Sequence, residues 1–334
     1  MYKVSILVPI FNVEKYIERC ARSLFEQTYE DLEFIFVDDC SPDGSVTVLR
    51  DIVKEYPNRA QQVSVIRHEC NRGIAASRNS AIEHATGEFF CIVDSDDWME
   101  KDAIALFVEK QTSANADIVY GNALMHTPEG VSVLKEREYK DKHEMMLYYS
   151  RFTPCYTMVL WRRLIRASLF RDHGIRGIDG LNYSEDKHLL AKLAYYAKRV
   201  SHLDAVVYHY NRMNEQSLVA AASKDSFPLS AHRQEIGNMQ AVVDFFRDKS
   251  EVYYSESGRA LLRFQRVCME EALSASSRTG FYAMVECINH SEPTFWNSIG
   301  WDSWKRVLYG NYYYMKFFPK VKRIVKRVIG KIWA

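Results

Sequence analysis

The stretch Gly87-Glu88-Phe89-Phe90-Cys91-Ile92-Val93-Asp94-Ser95-Asp96-Asp97-Trp98 decides how the rest of the chain is read. Within it, Glu88–Val93 reads as a strand. The strand ends abruptly on a cluster of carboxylates. Working upstream, Val4–Pro9, Leu32–Val37 and Val63–Arg67 read as further strands. Between them lie segments with helical spacing: Tyr16, Ile17, Cys20 and Leu24 behind a capping Asn12, then Ser45–Tyr56, then Ile74–Ala85. Downstream, a helix over Asp102–Ser113 and a strand over Ala116–Tyr120 continue the series. Strands alternating with helices of this length predict an α/β fold, a mostly parallel sheet with helices on both faces. Further on, Lys140–Arg151 and Leu189–Arg199 read as helices and Leu203–Tyr210 as a strand; beyond Glu215 only helical signals remain. The expected organisation is an α/β domain over 1–220 and a helical extension over 221–334.

Composition limits the function classes. The chain has 334 residues and a net charge of +1, which excludes a uniformly basic nucleic-acid binder. Hydrophobic residues at 47% exclude wholesale disorder. No window approaches the roughly 18 apolar residues of a membrane-spanning helix. The apolar start, Val4 to Phe11, contains Pro9 and runs into Glu14 and Lys15, so it reads as a strand rather than a signal peptide. Seven scattered cysteines without a CxxC pair fit a reducing, cytoplasmic compartment. The charge is uneven: Lys305–Ala334 holds nine Lys or Arg and no acid, which leaves the body net acidic.

In open α/β sheets, ligands bind beyond the carboxyl ends of the strands. The acids lie there: Asp38-Asp39 closes the second strand, and Asp94, Asp96 and Asp97 close the fourth. Asp43, in Ser41-Pro42-Asp43-Gly44, reads as a turn former. The Asp94–Asp97 cluster reads as a site for a hard cation, Mg2+ or Mn2+, since no His or Cys accompanies it. Asn71-Arg72-Gly73, with Arg78 and Asn79 behind it, offers a glycine at a helix start and a cationic fork for a diphosphate. Glu185-Asp186 has two readings, acids favoured at a helix start or a catalytic pair.

In this order, Val8-Pro9-Ile10-Phe11-Asn12, Val37-Asp38-Asp39-Cys40-Ser41-Pro42-Asp43-Gly44-Ser45, Asn71-x-Gly73 with Arg78-Asn79, Gly87-Glu88-Phe89 with Asp94-Ser95-Asp96-Asp97, and Ser184-Glu185-Asp186 resemble the motifs of glycosyltransferase family 2. The resemblance covers about residues 1–215. It implies a GT-A fold and an inverting, nucleotide-sugar-dependent transfer. It places Pro9, Phe11, Asn12, Asp38, Asp39, Asn71, Gly73, Arg78, Asp94 and Ser95 around the nucleotide-sugar donor, with Arg78 facing the diphosphate. Asp39 would accept from the uracil N3–H, which points to a UDP-sugar, with GDP- and dTDP-sugars as the alternatives. Asp94, Asp96 and Asp97 would hold the metal. Asp186 would be the base, with Glu185 as the second candidate. Two departures stand out: Cys40 replaces the family's usual Gly, and Tyr208-His209-Tyr210-Asn211-Arg212 only approximates its aromatic-Arg segment.

Several features stand beside this frame. Trp98 reads as sugar-pocket wall or as core, and His209 as packed rather than as a ligand. The aromatics Trp296, Trp301, Trp304 and Tyr312–Tyr314 read as core or interface, which allows a homo-oligomer. Val321, Ile324, Val325, Val328 and Ile332 form an apolar stripe between basic residues, the pattern of a helix lying on an anionic membrane or of one that packs its stripe on its own domain with a solvated basic face. The expected acceptor is then a glycan or lipid-linked glycan at the inner face of the cell membrane, as in bacterial surface-polysaccharide synthesis. The competing function is a non-catalytic, membrane-associated scaffold that binds nucleotide sugars. A pyrophosphorylase would need a GxGxRL loop after the first strand, and an aspartyl phosphatase a DxDGT; neither is present.

Overall fold

The computed structural model describes residues 2–152 and 158–289. The basic tail and the tryptophan- and tyrosine-rich stretch before it lie outside the described residues. In chain order the elements are β1 (Val4–Ile10), α1 (Ile17–Phe25), β2 (Leu32–Asp38), α2 (Ser45–Glu55), α3 (Pro57–Ala60), β3 (Val63–Arg67), α4 (Ile74–His84), β4 (Phe89–Ile92), β5 (Trp98–Met99), α5 (Ala103–Ala114), β6 (Ile118–Thr127) and β7 (Gly130–Leu134). There follow α6 (Lys142–Ser150), β8 (Arg163–Arg166), α7 (Ala167–Arg171), α8 (Glu185–Tyr196), β9 (Val200–Asn211), α9 (Leu218–Ser223), α10 (Leu229–Phe246), α11 (Glu251–Ser274) and α12 (Arg278–Asn289).

β1, β2 and β4 are buried along their whole length, as their largely apolar sequences require, and the two polar side chains within β1 and β2, Ser5 and Glu33, bond to each other. Val4, Ile6, Val8 and Ile10 pack against Ile17, Cys20, Ala21 and Leu24 of α1 and against Ala103, Ile104 and Phe107 of α5. Leu7, Ile35, Phe90 and Ile92, of the opposite parity, are buried too, and α4 packs on β1 and β2.

The sheet runs β3-β2-β1-β4-β8-β6-β9-β5, with β7 paired to β6. The first four strands are parallel, and so are β6 and β9. The parallel register aligns Ile10 with Asp38 and Leu7 with Ile92. This alignment brings the loops carrying Asn12, Asp39 and Asp94 to one edge of the sheet.

The sheet is more mixed than the repeating pattern predicts. β8 lies antiparallel between β4 and β6, and β5 lies antiparallel on β9. β8 is masked in sequence by its charge. Arg162 and Arg163, at its start, are almost wholly buried, and both pair with the buried Glu136, at 2.7 and 3.2 Å.

Among the described residues the chain divides into two compact units, one of residues 2–149 and 158–221 and one of residues 150–152 and 222–289. The second is built on α10, α11 and α12. Among the described residues no helix is long and apolar enough to cross a membrane.

Candidate active site

Arg78 sits in the middle of α4 and is 2% exposed. Its Nη2 donates to Asp94 Oδ1 at 2.7 Å. Its Nη1 donates to Asp186 Oδ1 at 2.5 Å and also to Glu185 Oε1. One guanidinium thus ties the acid at the end of β4 to the pair that opens α8. The resemblance places Arg78 toward the diphosphate; the structure instead closes it within three carboxylates. The physical reason is charge balance, since buried carboxylates so close together need a cation.

Two segments hold this arrangement. α4 starts at Gly73 (φ +90°), where a Cβ would fall about 2.2 Å from the Asn182 side chain. Asn182 Oδ1 accepts from the Ala75 amide at 3.2 Å. Asn79 and Gly177 exchange two hydrogen bonds, at 2.9 and 2.8 Å. The glycine-bearing loop before α8 is therefore pinned to α4, and Glu185 and Asp186 arrive beside Arg78. The two acids occupy the first turn of α8, as the helix-start reading expects, and lie beside Arg78.

The two acids differ in access. The Glu185 side chain is 6% exposed and that of Asp186 15%. Burial pushes the Glu185 carboxyl up to about 8, against the pull of Arg78. Burial also raises the Asp186 carboxyl. A raised carboxyl in reach of solvent suits proton transfer near neutral pH.

The carboxylates after β4 divide their roles. Asp97 is 1% exposed and turns inward: Oδ2 accepts from the Tyr208 hydroxyl and Oδ1 from the Asn211 amide, each at 2.7 Å. Asp97, expected as a metal ligand, is turned inward by these two bonds, each of which takes one lone pair of an oxygen. Asp96 accepts from Asn214 Nδ2 at 2.8 Å, and burial followed by repulsion from Asp94 pushes it up to about 6. Among the described residues, Asp94, Asp96 and Asp97 do not form a three-ligand set within 4.8 Å. Asp94 and Asp96 offer only oxygen, which fits a hard cation that completes its shell with water and phosphate. Ser95, between them, is buried.

The nucleotide-side residues cluster at the ends of β1 and β2. Asp39 Oδ1 meets His68 Nδ1 at 2.7 Å and the Arg72 amide at 2.9 Å; Oδ2 accepts from the Gly73 amide at 2.7 Å. Asp39 therefore shapes the Asn71–Gly73 turn. Asp38 Oδ1 accepts from the Ser41 amide at 2.8 Å, while Oδ2 has no hydrogen bond. Cys40 takes φ +58°, a left-handed conformation, which is why Gly is the commoner residue there. Pro9 is buried in β1, Phe11 is 45% exposed beyond it, and Asn71 is exposed. Asn12 Nδ2 donates to Gln216 Oε1 at 2.5 Å.

Sequence reasoning missed the segment that braces the acids. The Tyr208 hydroxyl accepts from the Asp94 amide at 3.1 Å while donating to Asp97. Asn211 Nδ2 donates to the Asp96 carbonyl at 3.1 Å. The available signal was the aromatic-Arg resemblance of residues 208–212, which points to the segment without naming Asn211 or Asn214. His209 stacks on Trp98 (4.8 Å, 8°) and bonds to Glu100 Oε1 at 2.8 Å and His126 Nε2 at 3.0 Å. Arg19 covers the Trp98 ring at 3.4 Å. His209 is packed, and Trp98 is sandwiched between cation and imidazole. The Arg212 amide donates to the His126 carbonyl at 2.8 Å.

The sequence profile of Glycosyl transferase family 2 matches residues 5–174, half of the chain. The chain belongs to glycosyltransferase family 2. Its relatives include EpsH of Bacillus subtilis strain 168, which carries a glycosyltransferase name; it is 28% identical over 89% of this chain and 85% of its own. The poly(ribitol-phosphate) beta-N-acetylglucosaminyltransferase TarS of Staphylococcus aureus strain Mu50 is 31% identical over 90% of this chain and 49% of its own. Among solved structures, residues 1–349 of S. aureus TarS with UDP-GlcNAc superpose with a TM-score of 0.62 at 20% identity, over 86% of this chain and 81% of that one. A mannosyltransferase of Pyrobaculum calidifontis, with GDP-Man and Mn2+, superposes at 0.54 and 17% identity, over 98% and 87%. These likenesses establish the GT-A fold, with the glycosyltransferase class given by the family.

Proposed function

We propose that this family 2 enzyme moves a sugar from a UDP-sugar onto a hydroxyl of a glycan or lipid-linked glycan in bacterial surface-polysaccharide synthesis, with inversion. The observation that carries the reading is the bridge from Asp94 through Arg78 to Glu185 and Asp186, which ties the donor side of the cleft to a base. TarS, named for transfer to poly(ribitol-phosphate) and solved with UDP-GlcNAc, supports the donor and acceptor classes.

Asp186, the more accessible acid, takes the proton of the acceptor hydroxyl. The acceptor oxygen then bonds to the anomeric carbon as the bond to the diphosphate breaks. Attack from the face opposite the leaving group inverts the configuration. Glu185 and Asp94 fix the Arg78 guanidinium, which in turn orients Asp186. Asp39 Oδ2 accepts only the Gly73 amide and retains a lone pair for the uracil N3–H, and exposed Phe11 flanks the base. Asp94 and Asp96 would hold Mg2+ or Mn2+, which neutralises charge on the leaving diphosphate when bound. The tail over 305–334 would keep the enzyme at an anionic membrane surface, where lipid-linked acceptors lie.

The test is a donor screen that reads UDP, GDP and dTDP release, with Mn2+ and with EDTA. UDP release that requires the metal supports the reading. Binding of nucleotide sugar without turnover on any hydroxyl acceptor would instead favour the scaffold.

A further inference from the structure

The helical unit carries a cluster that the transfer reaction does not use. His232 lies in the first turn of α10, and Cys268 and Glu271 sit three apart on α11, hence on one face of that helix. Their ligating atoms lie within 4.8 Å of one another, and among the described residues no other group of three such residues comes so close. Cys268 Sγ is 3.4 Å from His232 Nδ1. Two ligands about 2.3 and 2.1 Å from one tetrahedral zinc ion stand roughly 3.5 Å apart, so this separation fits a shared metal. Nε2 lies 3.2 Å from Glu271 Oε2 yet has no hydrogen-bond partner, so no directed hydrogen bond explains the approach on that side. Cys268 is fully buried, whereas the Glu271 side chain is half exposed and can swing toward the sulfur.

We propose that His232, Cys268 and Glu271 form a binding site for a borderline-soft divalent cation, Zn2+ above all, that ties α10 to α11. The ligand set is one thiolate, one imidazole and one carboxylate, with water in the fourth position. The set separates this site from the Asp94–Asp96 pair, whose oxygen-only ligands suit Mg2+ or Mn2+. On binding, Cys268 releases its thiol proton to solvent, so affinity rises with pH.

The experiment uses the full-length chain, stripped of metal and titrated with Zn2+ against a chromophoric chelator, then with Co2+ for its spectrum. One equivalent should bind, Co2+ should show a thiolate charge-transfer band, and Zn2+ should raise the melting temperature. Cys268→Ser should abolish the band, and His232→Ala should weaken binding at least tenfold. Cys70→Ser, at an exposed cysteine, should change neither. Circular dichroism checks that the variants fold; should they not, the wild-type Co2+ spectrum alone decides. Absence of the thiolate band in the wild-type chain, or stoichiometric binding that survives Cys268→Ser, overturns the proposal.

Discussion

Arg78 Nη2 stands 2.7 Å from Asp94 Oδ1, so the acid that follows β4 and the centre of α4 are locked together. Because the same guanidinium holds Glu185 and Asp186, its removal strands three carboxylates at once. Arg78→Met should destabilise the fold by about 3–5 kcal/mol, the usual cost of breaking a buried ion pair from one side. Arg78→Lys should fold better, since it keeps the charge, yet lose activity because one ammonium cannot span both sides. Melting temperatures and UDP release on both variants check this.

The metal-side acids should separate cleanly. Asp96→Asn should reduce turnover about 10²-fold or more by analogy with the loss of an electrostatic stabiliser. Its melting temperature without metal should hold or rise, since repulsion from Asp94 is relieved. Asp97→Ala should instead cost about 2 kcal/mol by orphaning the Tyr208 hydroxyl and the Asn211 amide. Thermal melts in EDTA, beside Mn2+-dependent rates, distinguish the two outcomes.

Glu185 gives a pH prediction with a definite sign. Its carboxyl rises from 4.5 to about 8 on folding. The folded state therefore binds the proton more tightly than the unfolded one. The contribution to stability is full below about 4.5 and is lost as pH rises toward about 8. Glu185→Gln should flatten the decline in melting temperature over that window. An unchanged slope in EDTA would show that Glu185 does not carry it.

Gly73→Ala tests the donor turn. A left-handed φ and a Cβ driven into Asn182 should together cost about 1–3 kcal/mol. UDP affinity should fall too, because the Gly73 amide is one of the donors that shape Asp39. Calorimetry with UDP beside a thermal melt checks both effects.

The parallel half of the fold was legible because β1, β2 and β4 are buried on both faces and so read as largely apolar runs, interrupted only by Ser5 in β1 and by Glu33 and the terminal Asp38 in β2. β8 was not, since Arg163 hides its core role behind a charge that Glu136 neutralises from far along the chain. The acids at the strand ends were legible by type but not by orientation. Asp96 and Asp97 are neighbours in sequence, and only the partners Asn214, Tyr208 and Asn211 decide which of them turns inward. Arg78 was legible as a cationic fork and was expected to face the diphosphate; its partners Glu185 and Asp186 lie more than a hundred residues away, beyond the reach of local pattern.

The central claim is that Asp186 performs the proton transfer and does not hold the nucleotide. Asp186→Asn should therefore be measured for transfer to acceptor and, by calorimetry, for UDP binding in the same preparation. The account predicts a loss of transfer of about 10³-fold, within the usual range for a general base, with UDP affinity unchanged. Transfer at the wild-type rate, or a collapse of UDP affinity with the fold intact, would contradict it.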